Sequence, residues 1–106
     1  MNVVVIDDDP KITNLVQVFL EQKGFRVSVE HDGLTGLKTI EKEHPDLVLC
    51  DLLLPGLHGM DLCDRVKRNA SLKNIPIILM TGVYKKSKYR IDARRSGADD
   101  FIEKPI

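Results

Sequence analysis

Short apolar runs alternate with stretches of helical periodicity along the whole chain. Asn2 to Ile6 is a β-branched run of the kind that forms a strand buried on both faces. Asp9 then offers an N-cap, and Pro10 suits a first helical position. Ile12, Leu15, Val16 and Phe19 recur at i, i+3, i+4 and i+7, which predicts one apolar helical face, and Gly24 supplies the stop. Phe25 to Glu30 alternates Phe25, Val27 and Val29 toward one side, a second strand. Leu34, Leu37 and Ile40 mark a weaker helix, diluted by Gly36 and closed before Pro45.

The second half repeats the pattern. Leu47 to Cys50 reads as the third strand, Leu52 to His58 as a loop broken by Pro55 and Gly56, and Met60 to Arg68 as a helix burying Leu62, Cys63 and Val66. Ile75 to Met80 is the fourth strand, with Pro76 tolerated near its start. Tyr84 to Ser96 forms a helix with a thin apolar stripe that ends at Gly97, and Asp100 to Glu103 is a short fifth strand. Strand–helix alternation of this kind predicts an α/β fold: a parallel sheet with right-handed crossovers. The expected organisation is one domain over residues 1–106 without a fifth helix. One sheet face is then left apolar and open, for a continuation of the parent protein or another chain to cover.

Composition narrows the function classes. The chain has 106 residues, 42% apolar and 30% charged, with a formal net charge of zero. That balance suits a folded domain and gives no bulk attraction to nucleic acid or membrane. No apolar run approaches the roughly 20 residues that span a bilayer, and Met1 to Ile6 runs into an acidic cluster rather than a cleavage site, so a cytoplasmic protein is expected. Cys50 and Cys63 have no zinc spacing and read as reduced thiols; His31, His44 and His58 are scattered and read as surface residues.

The chemistry lies at the strand ends. Asp7, Asp8 and Asp9 follow the first strand, Asp51 the third, Thr81 the fourth and Lys104 the fifth. In an open parallel sheet these positions converge outside the carboxyl ends of the strands. Carboxylates ~5 Å apart repel by about 3 kcal/mol at an effective dielectric of ~20, and a hard cation such as Mg²⁺ relieves this. Asp51 is the candidate nucleophile, since a carboxylate can attack a phosphoryl group to form an acyl phosphate. Lys104 supplies an ammonium, aimed by the turn at Pro105. Thr81 supplies a hydroxyl, with Gly82 allowing close backbone approach.

The segments VVVIDDDP at 3–10, DLVLCDLLLPGLHG at 46–59, IILMTG at 77–82 and GADDFIEKPI at 97–106 together resemble a receiver domain of a two-component response regulator. The resemblance implies a flavodoxin-like, doubly wound five-stranded sheet in the order 2-1-3-4-5. It implies that Asp51 accepts phosphate from a sensor histidine kinase or phosphotransfer protein. Asp8, Asp51 and the Leu53 backbone carbonyl would bind Mg²⁺ (or Mn²⁺), Asp7 would act through water, and Thr81 and Lys104 would contact the phosphoryl group. Phe101 matches the family's switch aromatic. Such a domain catalyses only its own phosphorylation and dephosphorylation and relays the change to the face of the fourth helix and fifth strand. That face would meet a second copy or a downstream output domain, with no membrane and no direct nucleic-acid contact. The fourth helix is basic: residues 84–95 carry six Lys and Arg against Asp92, which suits either an acidic partner or a solvated face.

Two rivals stay open. A phosphatase of the haloacid dehalogenase type also uses an aspartate nucleophile, but needs an acid two residues later, where this chain has Leu53. A phosphate-independent interaction module of receiver fold usually loses one of the acidic, hydroxyl or amine positions, all of which are present here.

Overall fold

The computed structural model describes residues 1–81 and 97–103. Five parallel strands, β1 (Asn2–Ile6), β2 (Arg26–Glu30), β3 (Leu47–Asp51), β4 (Ile77–Thr81) and β5 (Asp100–Glu103), form one sheet in the order β2-β1-β3-β4-β5. Among the described residues, three helices, α1 (Pro10–Gln22), α2 (Gly33–Glu43) and α3 (Gly59–Arg68), connect the first four strands. The expected helix over Tyr84 to Ser96 lies outside the described residues.

The β-branched run of β1 takes an interior place between β2 and β3 because it can be buried on both faces. Val4 and Ile6 join Val48, Cys50, Ile77 and Leu79 under Ile40 of α2 and Leu62, Cys63 and Val66 of α3. Val3 and Val5 pack on the opposite face with Val16 of α1. Asp9 caps α1 by accepting from the Lys11 amide, and Pro10 occupies its first turn. The helix ends as Gly24 takes a φ of 92°, a left-handed conformation that glycine adopts without Cβ strain. His44 takes the same role for α2 at φ 47°, which its residue type did not advertise.

Two predicted apolar faces are only partly buried. On α1, Val16 and Thr13 are buried, whereas Leu15 and Phe19 are 60% and 57% exposed. They line an apolar groove of about 390 Å³ with Val16, Leu20, Leu49 and Ile102. Leu34 is also half-exposed, because α2 turns that position toward the loop after β3 rather than toward the sheet. Several boundaries shift by a residue or two: β2 begins at Arg26 rather than Phe25, and β3 runs on to Asp51. α3 begins at Gly59, and β4 runs Ile77–Thr81, with Pro76 just ahead of it accepting from the Val48 amide.

Lys67 ties the end of α3 to the segments leading into β4 and β5. Its ammonium donates to the carbonyls of Lys73 and Ile75 and to Asp99, at 3.2, 2.7 and 2.9 Å. Asp99 also accepts from the Ile77 amide at 2.8 Å. Partial burial opposes ionisation of Asp99, but the Ile77 amide and Lys67 outweigh it and hold the carboxyl below its usual range. A folded-state pKa below the unfolded one gives stability that is fully present above about pH 4 and is lost as pH falls through the folded value. Lys67→Met should therefore lower the urea-unfolding free energy by about 1–2 kcal/mol at neutral pH, with a smaller difference near pH 2.

Candidate functional site

The carboxyl ends of β1, β3 and β4 lie side by side. Ile6 is in register with Cys50, and Asp51 with Met80, so Asp7 and Asp51 sit at the tips of neighbouring strands. The Asp7 amide donates to the Glu30 carbonyl at 3.1 Å, which extends the pairing with β2 by one step. An Asp7 carboxylate oxygen accepts from the Asp9 amide at 3.0 Å, so the turn into α1 also fixes the first acid of the cluster.

Asp7, Asp8 and Asp51 each present a carboxylate oxygen within 4.8 Å of the others. Asp7 is fully buried and Asp51 nearly so, while Asp8 faces solvent. Charges at this spacing repel by about 3 kcal/mol per pair at an effective dielectric of ~20. An all-oxygen, anionic donor set with one open side fits Mg²⁺, which takes one or two carboxylates and keeps water on its remaining positions.

The loop after Asp51 is anchored by alternation. Leu52, Leu54 and Leu57 enter the core, whereas Leu53 is 41% exposed. The Leu52 amide donates to the Met80 carbonyl at 2.8 Å, and the Gly59 amide returns the chain to the Leu52 carbonyl at 3.0 Å. Gly59 is buried at the first position of α3, where an added Cβ would strike the Asp51 carbonyl.

The backbone of Thr81 ends β4 and is in register with Glu103, the residue before Lys104. Lys104 itself lies outside the described residues, as does the side chain of Thr81. Phe101 is half-buried against the core cluster of the α2–α3 face. Cys50 is a core thiol as expected: burial, then the nearby charge of Asp51, pushes its pKa well up, and it donates to the Asp51 carbonyl at 3.3 Å. His31 is exposed but within 3.4 Å of the buried Thr13 hydroxyl. No helix among the described residues is long and apolar enough to cross a membrane.

Sequence reasoning passed over the start of α2. Asp32 caps it through the Thr35 amide at 2.9 Å and hydroxyl at 2.7 Å, which holds the Asp32 carboxyl below its usual range. Its next amide, that of Gly33, donates to Pro55 in the loop beyond Asp51. The available signal was an Asp-Gly pair directly before a helical pattern.

Comparison with known proteins agrees with this architecture. The family described as response regulator receiver domain matches residues 3–106. The chain is 36% identical to the DNA-binding dual master transcriptional regulator RpaA of Synechocystis sp., over 98% of this chain and 43% of that protein. It is 38% identical to the DNA-binding response regulator MtrA of Mycolicibacterium smegmatis, over 98% of this chain and 44% of that protein. The chain thus spans less than half the length of these relatives. Among solved structures, the BeF3-activated N-terminal receiver domain of Klebsiella pneumoniae RstA superposes with a TM-score of 0.91 at 33% identity, covering 100% of this chain and 87% of that one.

Proposed function

Because the chain belongs to the response regulator receiver family, we propose that it is a phosphorylation-driven switch in which Asp51 is the phosphoacceptor. The observation that supports this most is the convergence of Asp7, Asp8 and Asp51 at the strand tips. An Asp51 carboxylate oxygen attacks the phosphorus of a phosphohistidine on a sensor kinase or phosphotransfer protein. The O–P bond forms as the N–P bond breaks, and the leaving imidazole nitrogen keeps the electron pair and takes up a proton. Asp8, Asp51 and the Leu53 carbonyl would hold Mg²⁺, and Asp7 would act through water. When bound, the cation offsets the charge on the phosphoryl oxygens. Lys104 neutralises a further share, and the Thr81 hydroxyl donates to one phosphoryl oxygen.

The buried environment of Asp51 excludes bulk water from one side of the acyl phosphate. Phe101 moves into the space released as Thr81 turns toward the new oxygens, and the change passes to the face of the expected fourth helix and β5. Reversing a 1:99 equilibrium takes about 5.5 kcal/mol of differential stabilisation, the scale of two charge-assisted bonds plus a repacked aromatic ring. Both relatives named above are DNA-binding regulators, which supports an output domain as the downstream partner.

Incubation with Mg²⁺ and acetyl phosphate, followed by intact mass spectrometry, tests the reading. One phosphoryl group should be gained, and excess EDTA should prevent it. If neither acetyl phosphate nor phosphoramidate adds mass, the chain is an interaction module that works without phosphate.

A further inference from the structure

The loop that follows Asp51 is held on its outer side by the first turn of α2, a part of the molecule that contributes no group to the proposed chemistry. The Gly33 amide donates to the Pro55 carbonyl at 3.1 Å, and the same carbonyl accepts from the Leu57 amide at 3.0 Å. Gly33 is buried, and an added Cβ would overlap the Leu57 carbonyl oxygen and lie 2.7 Å from the Leu57 Cβ. Backbone thus meets backbone, so no side-chain rotation could make room. At the next residue, the Leu34 side chain covers the outer face of Gly56, within 3.6 Å of where a Cβ on that glycine would lie; Gly56 itself has a φ of 79°. Inside, Leu52, Leu54 and Leu57 fasten the loop to the core. Leu53 is the exposed residue between two of these anchors.

We propose that Gly33 is a positioning residue for cation binding: the first turn of α2 clamps the 52–58 loop and so fixes the backbone that carries Leu53 beside Asp51. The inference rests on the phosphoacceptor reading and deepens it. A helix begins with amides that have no partner within the helix. Here one of them is satisfied by the loop instead of by water, so loop position and helix start are set together. Without the clamp, the inner anchors still hold the Leu52, Leu54 and Leu57 side chains, but the loop backbone between them can shift. A ligand oxygen displaced by a few tenths of an ångström costs a small octahedral cation more than a larger, more adaptable one.

The test is a Mg²⁺ titration of wild type and variants, followed as direct binding by calorimetry without phosphodonor and as acyl-phosphate formation from acetyl phosphate, read by intact mass. Gly33→Ala should raise the half-saturating Mg²⁺ concentration about tenfold, the loss typical when support for a metal ligand is removed. Its maximal rate at saturating Mg²⁺ should return to near the wild-type value. Gly24→Ala is the stability control. Gly24 has a φ of 92°, with nothing within 4 Å of an added Cβ, and it lies at the opposite end of the strands. It should lower the melting temperature and leave half-saturation unchanged. Leu34→Ala changes a half-exposed side chain, so it preserves the fold even if Gly33→Ala does not; half-saturation should rise about threefold. The clamp is overturned if Gly33→Ala and Leu34→Ala titrate like wild type, or if they lose maximal rate with half-saturation unchanged. A wild-type protein that forms no acyl phosphate at any Mg²⁺ concentration would instead remove the phosphoacceptor reading beneath it.

Discussion

Asp51→Asn should abolish phosphoryl incorporation, with a loss on the order of 10³-fold or more in the rate of acyl-phosphate formation. The amide has nearly the same shape as the carboxylate, and the site's packing survives the change. What disappears is the anionic oxygen that attacks phosphorus, together with one of three charges crowded within 4.8 Å. The second loss gives the variant an independent signature. At ~3 kcal/mol of repulsion per pair, less the screening that exposed Asp8 enjoys, the variant should be about 1–3 kcal/mol more stable than wild type in EDTA. Mg²⁺ should narrow that gap. A saturating ligand at 100 times its Kd adds about 2.7 kcal/mol to wild type, and the variant gains less. Chemical denaturation with and without Mg²⁺ measures this narrowing. An unchanged stability gap in the two conditions would mean that Asp51 does not share a cation with Asp7 and Asp8, even if mass spectrometry showed no phosphorylation of the variant.

Much of this architecture was legible in the sequence because parallel strands buried on both faces need unbroken apolar runs, and β1, β3 and β4 each have one. The strand tips follow directly, and with them the placement of Asp7 and Asp51. The Asp9-Pro10 start of α1 was equally plain, since cap and first-turn preferences are local. Amphipathic spacing said less about what each helix faces. Leu15 and Phe19 share the apolar stripe of Val16, yet they border an open groove, because periodicity reports a face and not its occupant. Leu34 fits the stripe of Leu37 and Ile40 but meets a loop. The contacts of Gly33 and Lys67 join segments 22 to 32 positions apart, as Gly33 to Pro55 and Lys67 to Asp99, and no local pattern encodes such pairings. Glycine's missing side chain leaves no periodic trace, even where the fold depends on that absence.

Gly59→Ala is the variant in which that dependence should be most costly. Gly59 begins α3 and is buried; its amide reaches the Leu52 carbonyl at 3.0 Å, and an added Cβ would meet the Asp51 carbonyl oxygen while lying 3.0 Å from the Leu52 Cα. Both obstacles are backbone atoms of the strand tip that carries the acceptor. Relief requires either α3 to retreat, opening space around Leu62, Cys63 and Val66, or the strand tip to shift under Asp51. The first route leaves cavities and the second strains the ladder to Met80, so the expected cost is about 3 kcal/mol. For a domain of this size that is a fall in Tm of roughly 10–20 °C. Gly24→Ala sets the scale for backbone conformation alone, since its new Cβ meets nothing and the penalty is about 1 kcal/mol for a left-handed alanine. The difference between the two variants therefore measures how tightly the start of α3 is seated on the Asp51 strand. Equal melting temperatures would show that the helix can withdraw without cost. The fold would then supply no rigid support behind the acceptor, and the orientation of Asp51 would have to come from the carboxylate cluster and its bound cation.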